Sequence, residues 1–317
     1  MQNKTISIVI PIYNEASNVG LLYATLKSTI KELPYTFELI FVDDGSKDDS
    51  VIKLKQLAKT DKRARVVELA RNFGKEIAVT AGLHKARGDA AIIMDADLQH
   101  PPKLLPDFVR EWENGADVVV GVKRYSKNEG WFKRMSSSLF YVLLGKVSSS
   151  TITPHASDFR LINRPVINTF KSFTERNRIT RGLIDWAGFD RRYVYFEAPP
   201  RLYGEAGYSY RKLFGLAMNS FTAFSMLPLK VAGWLGWFIL VGSSLLGTFV
   251  VIEKYLLNDP MGLEVRGTAL LAILLLFLVG VVLVCLGFVA LYISRIYDEV
   301  INRPLYVVKS DEGGDYS

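Results

Sequence analysis

Short apolar runs alternate with stretches of helical period along the first part of the chain. Ile6–Tyr13, Phe37–Val42, Arg65–Leu69, Ala90–Met94 and Asp117–Gly121 read as strands. Several are apolar throughout, as strands covered on both faces are. Ala16–Leu33, Lys47–Thr60, Lys75–Ala86 and Lys103–Asn114 read as the helices between them. Such a series predicts an α/β fold with a mostly parallel sheet and helices on both faces. Ligands of such sheets bind at the carboxyl ends of strands. Polar motifs fall at those ends: Asn14-Glu15 after the first strand, Asp43-Asp44 after the second, Asp95-Ala96-Asp97 after the fourth.

The pattern changes in the last third. Residues 231–252 and 268–293 carry no charged side chain. Each run exceeds the ~20 residues with which an α-helix crosses ~30 Å of hydrocarbon. The link between them holds Asp259-Pro260 and Gly262, so the pair reads as a transmembrane hairpin. Arg211, Lys212 and Lys230 precede it, and Arg295, Arg303 and Lys309 follow. In the link, Lys254 and Arg266 are offset by Glu253, Asp259 and Glu264. The positive-inside rule then puts both flanks in the cytoplasm. Tyr208–Leu227 places Phe214, Ala217, Met218, Phe221 and Phe224 at helical spacing. A helix lying in the membrane interface and a helix packed on the soluble domain are equally good readings of it. The expected division is 1–207, an α/β domain; 208–229, an amphipathic helix; 230–294, the hairpin; and 295–317, a tail. The polar end of that tail, Ser310–Ser317, reads as disordered.

Composition narrows the partners. The 317 residues carry a formal net charge of +7 and one cysteine, Cys285. A basic balance suits nucleic acid, or else an anionic membrane and phosphate-bearing substrates. The uncharged spans favour the second, and no nucleic-acid partner is expected. One cysteine allows no internal disulfide, which fits a reducing compartment. Met1-Gln2-Asn3-Lys4 lacks the apolar core of a signal peptide. Ser243 and Gly247 are small residues four apart in the first span, which would suit close helix packing. A homo-oligomer is a plausible expectation on that ground, and a lipid-facing scatter of small residues reads equally well.

The acids carry the chemistry. Two carboxylates as close as Asp95 and Asp97 repel unless a cation bridges them or one is protonated. A hard divalent ion bound to a diphosphate meets that need, and Gln99 offers a further oxygen. Asp43-Asp44-Gly45-Ser46 reads as an acid for a ribose or base edge, with Ser46 placed to cap the next helix. No G-x-G-x-x-G follows a strand and no G-x-x-x-x-G-K-[ST] occurs, so dinucleotide and P-loop chemistries have no phosphate loop here. His84, read as a helix-surface residue, His100 and His155 lack metal-ligand spacing, and no serine has the pattern of a hydrolase.

Five motifs in order carry a resemblance: Ile10-Pro11-Ile12-Tyr13-Asn14-Glu15, Val42-Asp43-Asp44-Gly45-Ser46, Arg71-Asn72-Phe73-Gly74-Lys75, Met94-Asp95-Ala96-Asp97-Leu98-Gln99-His100-Pro101 and Ser157-Asp158-Phe159-Arg160-Leu161. The chain resembles the polyprenyl-phosphate glycosyltransferases, relatives of dolichol-phosphate mannose synthase with the GT-A fold. With two C-terminal spans it is most similar to the bacterial bactoprenol-phosphate glucosyltransferases. The resemblance implies a cytoplasmic GT-A domain anchored in the cell membrane. That domain would move a hexose, glucose from UDP-glucose as first choice, from a nucleotide-sugar donor to a polyprenyl-phosphate acceptor. Mannosyl, N-acetylglucosaminyl and amino-arabinosyl transfer remain alternatives, as do a non-catalytic scaffold and a processive synthase. The missing Q-x-x-R-W motif counts against the last.

It also implies roles. Pro11, Tyr13, Glu15 and Asp43 would hold the nucleoside. Asp95 and Ala96 would contact the nucleotide-sugar, and Asp97 with Gln99 would bind Mg²⁺ or Mn²⁺. Arg124, Arg134 and Arg201 would meet phosphates, and Asp158 would stand at the reacting centre. Lys75 lies in a motif of the family without an assigned contact. The family's x-Ser-Lys-Tyr after R-x-x-G is replaced by Glu205-Ala206-Gly207-Tyr208, leaving Arg211 or Lys212 to supply that cation.

Overall fold

A computed structural model describes residues 4–124, 156–176, 178–197, 199 and 267–314, with scattered positions between 238 and 252. By compactness the chain divides into Met1–Gly207 with Arg303–Ser317, and Tyr208–Asn302.

In the first unit, β1 (Thr5–Ile12), β2 (Thr36–Asp43), β3 (Ala64–Leu69) and β4 (Ala90–Ile93) alternate with α1 (Val19–Ile30), α2 (Ser50–Thr60) and α3 (Lys75–Lys85). A 3₁₀ turn at Pro102–Leu104 leads into α4 (Leu105–Glu113), then β5 (Val118–Lys123). After these come β6 (Ala156–Asn163), α5 (Arg164–Ser172), α6 (Thr180–Trp186), β7 (Arg191–Phe196) and, at the far end of the chain, β8 (Val308–Gly313). The described strands form one sheet in the order β7-β5-β6-β4-β1-β2-β3-β8. The central four are parallel; β6 runs antiparallel to β4 and β5, and β8 antiparallel to β3.

Each sheet face has its own core. Ile6, Ile8, Ile10 and Ile12 of β1 pack with Leu22 and Leu26 of α1, Leu54 of α2 and Phe108 of α4. Val9, pointing the other way, packs with Ala78 and Ala81 of α3, Val166 of α5 and Leu183 of α6. Period-two alternation assigns these faces. Gly82 lets α3 lie close to the sheet, because a Cβ there would stand 2.3 Å from Val9 Cγ1.

The five expected strands and four expected helices exist, with moved starts. The first helix begins at Val19 because Glu15–Asn18 forms a turn, with the Asn18 and Val19 N–H groups donating to the Glu15 carbonyl. The second begins at Ser50, so Ser46 does not cap it. Instead the Ser46 hydroxyl accepts the Asn14 N–H, and Asn14 Oδ1 accepts the Lys47 N–H, tying two strand-end loops together.

The disordered reading of the tail is corrected over Ser310–Gly313. These residues belong to β8, whose charges have partners. Arg65 donates to both Asp311 oxygens at 2.7 and 2.8 Å. Lys55 reaches Glu68 at 3.1 Å and Glu312 at 2.9 Å. Charges that look solvated in the sequence are paired across an edge strand.

In the second unit, α7 (Gly267–Val300) is an unbroken helix of 34 residues. At ~1.5 Å per residue it is about 50 Å long. Over the residues whose side chains are described, no helix is long and apolar enough to cross a membrane. The sequence of α7 holds no charge from Thr268 to Ile293. The expected first span and the amphipathic helix at 208–229 lie almost wholly outside the described residues.

Candidate active site

Hydrogen bonds and an ion pair link the strand-end loops expected to share a crevice. Asp43, the last residue of β2, is fully buried. Its Oδ2 accepts the N–H groups of Gly45 at 3.1 Å and Ser46 at 3.0 Å, closing a tight turn. Gly45 holds φ +71 there, and a Cβ would stand 2.6 Å from the Arg71 backbone, so only glycine fits. Asp43 Oδ1 is buried without a protein partner and is a spare acceptor at the strand end. Burial pushes the Asp43 carboxyl above its usual range, against the pull of the Ser46 and Gly45 donors. Near this turn, Tyr13 is exposed and Glu15 accepts the Asn18 amide.

Asp44 has a different task. Its two oxygens accept the N–H groups of Phe73 at 2.7 Å and Gly74 at 2.9 Å. That pins the loop entering α3, where Gly74 holds φ +99, and so fixes Lys75 at the helix start. The Lys75 ammonium lies 2.6 Å from Asp95 Oδ1 and 2.8 Å from Asp95 Oδ2. It also lies 2.8 Å from Asp158 Oδ2. Asp95 follows β4 and Asp158 lies on β6, so one lysine joins two neighbouring antiparallel strands. Burial alone would raise Asp158, but Lys75, Arg181 and Arg160 outweigh it and hold the carboxyl at about 2. Burial opposes the charge of Lys75, yet Asp95 and Asp158 together keep it above the usual lysine range.

Several supports escaped sequence reasoning. His100 is buried, stacks on Phe159 at 5.1 Å, and its Nδ1 accepts the Asp95 N–H at 3.0 Å. That bond makes Nε2 the protonated nitrogen, and burial lowers the imidazole pKa. Glu76 accepts the Thr180 N–H at 2.8 Å, fastening α3 to α6. Arg160 is buried and donates to Asp185 at 2.8 Å. Lys75, Asp158, Thr180 and Arg181 border one cleft. Lys75, His100, Asp158 and Arg160 stood in the ordered motifs, whereas Glu76, Thr180, Arg181 and Asp185 lie outside them and leave no local pattern. His84 is corrected from a surface residue: it is half-buried, with Nδ1 3.1 Å from the Tyr306 hydroxyl.

Asp97 and Gln99 lie in a turn where Leu98 holds φ +61, an uncommon state for leucine. Asp97 Oδ1 accepts the Gln99 N–H at 3.1 Å, and Gln99 Oε1 lies 3.4 Å from the Lys123 ammonium. Among the described residues no three His, Cys, Asp or Glu side chains group to hold an ion. Mg²⁺ commonly takes one or two carboxylates and completes its shell from substrate phosphates. The hard oxygens of Asp97 and Gln99 fit an ion held in that way, while Asp95 is engaged by Lys75. Arg124 follows β5 and lies over the Tyr195 ring at 5.9 Å. Arg134 and Arg201 lie outside the described residues.

Residues 7–170 match the family model Glycosyl transferase family 2. The chain belongs to that family. The family 2 match runs from β1 into α5 and so contains Asp43, Lys75, Asp95, Asp97 and Asp158, while Thr180 and Arg181 lie beyond it. The chain is 40% identical to an uncharacterized glycosyltransferase of Synechocystis sp., over 98% of this chain and 96% of that protein. It is 36% identical to the SfII prophage-derived bactoprenol glucosyl transferase of Shigella flexneri, over 98% and 99%. Among solved structures, mannosyl-3-phosphoglycerate synthase from Rubrobacter xylanophilus superposes with a TM-score of 0.51 at 18% identity, covering 69% of this chain and 72% of that one. That likeness bears on the fold alone, a GT-A-like α/β domain with a mostly parallel, mixed sheet.

Proposed function

We propose that this family 2 protein is a membrane-anchored inverting transferase that moves a hexose, glucose from UDP-glucose as first choice, onto undecaprenyl phosphate at the cytoplasmic face of the cell membrane. The observation that carries this reading is the reach of the likeness to bactoprenol glucosyl transferases. It spans nearly the whole of both chains, including the stretch that forms α7, rather than the catalytic domain alone. The uncharged run in that helix and the basic flanks support an anchor with its catalytic domain inside.

The residues suit the reaction. The spare Asp43 oxygen can accept a nucleoside donor. A divalent ion held by Asp97 with Gln99 would neutralise charge on the departing diphosphate. The acceptor is a phosphate monoester with a second pKa near ~6, so it is largely dianionic at neutral pH and needs no base. Asp158, ionised far below neutrality, serves to orient the sugar rather than to remove a proton. Direct attack by the phosphate oxygen on the anomeric carbon inverts that carbon.

Purified protein in detergent, given Mn²⁺, undecaprenyl phosphate and a panel of labelled nucleotide-sugars, tests this. Label should enter the organic phase from one donor and fail to do so with Asp97→Asn. Donor binding without transfer from any sugar would refute the reading in favour of a nucleotide-sugar-binding scaffold.

A further inference from the structure

We infer that Lys75 is a positioning residue of the reacting centre, a fixed counter-ion that clamps Asp95 to Asp158 so that two anionic substrates meet a centre already partly neutralised. The inference rests on the transferase reading above.

The geometry singles out this lysine. An ammonium has three N–H donors and no acceptor. Here its short contacts are to both oxygens of Asp95 and to Asp158 Oδ2, at 2.6 to 2.8 Å. Its donors are therefore spent on carboxylates, which makes it a poor direct clamp for a substrate phosphate. Its backbone is fixed from both sides: Asp44 holds the N–H groups of Phe73 and Gly74, and Glu76 holds the Thr180 N–H. The nearest alternative cation on the same strand as Asp158 is Arg160, and that guanidinium is committed to Asp185.

Charge explains why such a clamp is needed. A nucleotide-sugar brings a diphosphate and the acceptor brings a phosphate dianion. Asp95 and Asp158 without Lys75 would present two further negative charges to them, in a partly exposed cleft where solvent screening is incomplete. With Lys75 the three side chains together carry one negative charge instead of two. The clamp also fixes the spacing between the end of β4 and β6, and so the angle at which each carboxylate can meet a sugar hydroxyl.

The test compares Lys75→Met, Lys75→Arg, Asp158→Asn and the Lys75→Met/Asp158→Asn pair in the transfer assay, with KM read separately for donor and acceptor. Lys75→Met should lose about 100-fold in kcat/KM for the acceptor, the scale seen when one preorganised charged or polar group is removed. Lys75→Arg should recover at least about tenfold of that, because it restores the charge with altered geometry. The double variant should be no worse than the weaker single variant within about threefold, since residues in one contact network do not add. Losses that multiply, or Arg no better than Met, would overturn the inference while leaving the transferase reading intact. A second arm needs no turnover: titration calorimetry of undecaprenyl phosphate in detergent should show about tenfold weaker binding to Lys75→Met. Equal binding there overturns the inference. A wild type inert with every donor overturns the transferase reading instead.

Discussion

Gly82 is where packing, backbone position and the reacting centre meet. An alanine Cβ there would stand 2.3 Å from Val9 Cγ1 and 3.1 Å from Val42 Cγ2. Ordinary carbon contacts are ~3.5–4.0 Å, so α3 must retreat by about 1 Å or Val9 must move. Val9 is fully buried and β-branched, with little rotamer freedom. Overpacking of this kind costs about 1–3 kcal/mol, and this contact belongs at the upper end. Alanine regains about 1 kcal/mol over glycine in a helix interior. The net is about 2 kcal/mol of destabilisation, or roughly 4–8 °C in Tm for a domain of this size. The retreat matters more at the far end of the helix. A shift of about 1 Å takes the Lys75 contacts beyond hydrogen-bonding distance, so transfer should fall well before the protein unfolds. Thermal melts and transfer rates of Gly82→Ala, with Val9→Ala/Gly82→Ala as the relieving partner, check this. A Gly82→Ala variant as stable and active as wild type would refute the reasoning. So would a double variant that recovers neither property.

Other expectations are simpler. Asp158→Asn should slow transfer by a factor that stays flat between about pH 5.5 and 9, because the carboxyl titrates near 2 and is ionised throughout; a ratio rising steeply with pH in that range would refute the depressed pKa. His84 is held neutral, mainly by burial and also by Arg178 and Lys171, with its pKa lowered to about 4. A depressed histidine pKa means the unfolded chain binds the proton first, so stability is full above about 6.5 and falls as pH drops toward 4. His84→Gln should flatten that acid slope in Tm. Deleting residues 308–317 removes Asp311 from Arg65 and Lys309 and Ser310 from Glu68, and bares the β3 edge; charge-assisted bonds of this kind contribute about 1.5–3 kcal/mol each when buried, so the loss should show clearly in a urea titration. An unchanged midpoint would mean that β8 contributes nothing to the fold.

The α/β frame was legible because its signals are local. Apolar strands buried on both faces read as unbroken runs, and acids at the ends of β2 and β4 fell where such sheets bind ligands. What was not legible depended on partners distant in sequence. Ser46 looked like a helix cap, but Asn14 from another loop claims its hydroxyl. Lys75 sat in a recognisable motif, yet its two carboxylates come from β4 and β6. His100 carried no metal-ligand spacing, and its acceptance of the Asp95 N–H depends on the turn between them, in which Leu98 holds the left-handed region. The tail's charges resembled a solvated end because their partners, Lys55, Arg65, Glu68 and Lys85, lie far upstream.

The position of β8 has a consequence for biosynthesis. The edge of β3 is complete by Leu69, whereas its partner strand begins at Val308. Chains emerge at ~5–20 residues per second, so that edge waits on the order of tens of seconds for its neighbour. The later part of that wait is the synthesis of everything from Tyr208 to Asn302, with the β3 edge still unpaired by β8. Among the described strands β8 is the latest in sequence and acts as a closing clasp, and a product truncated before it, however intact its upstream motifs, would carry an exposed strand edge of the kind that templates aggregation.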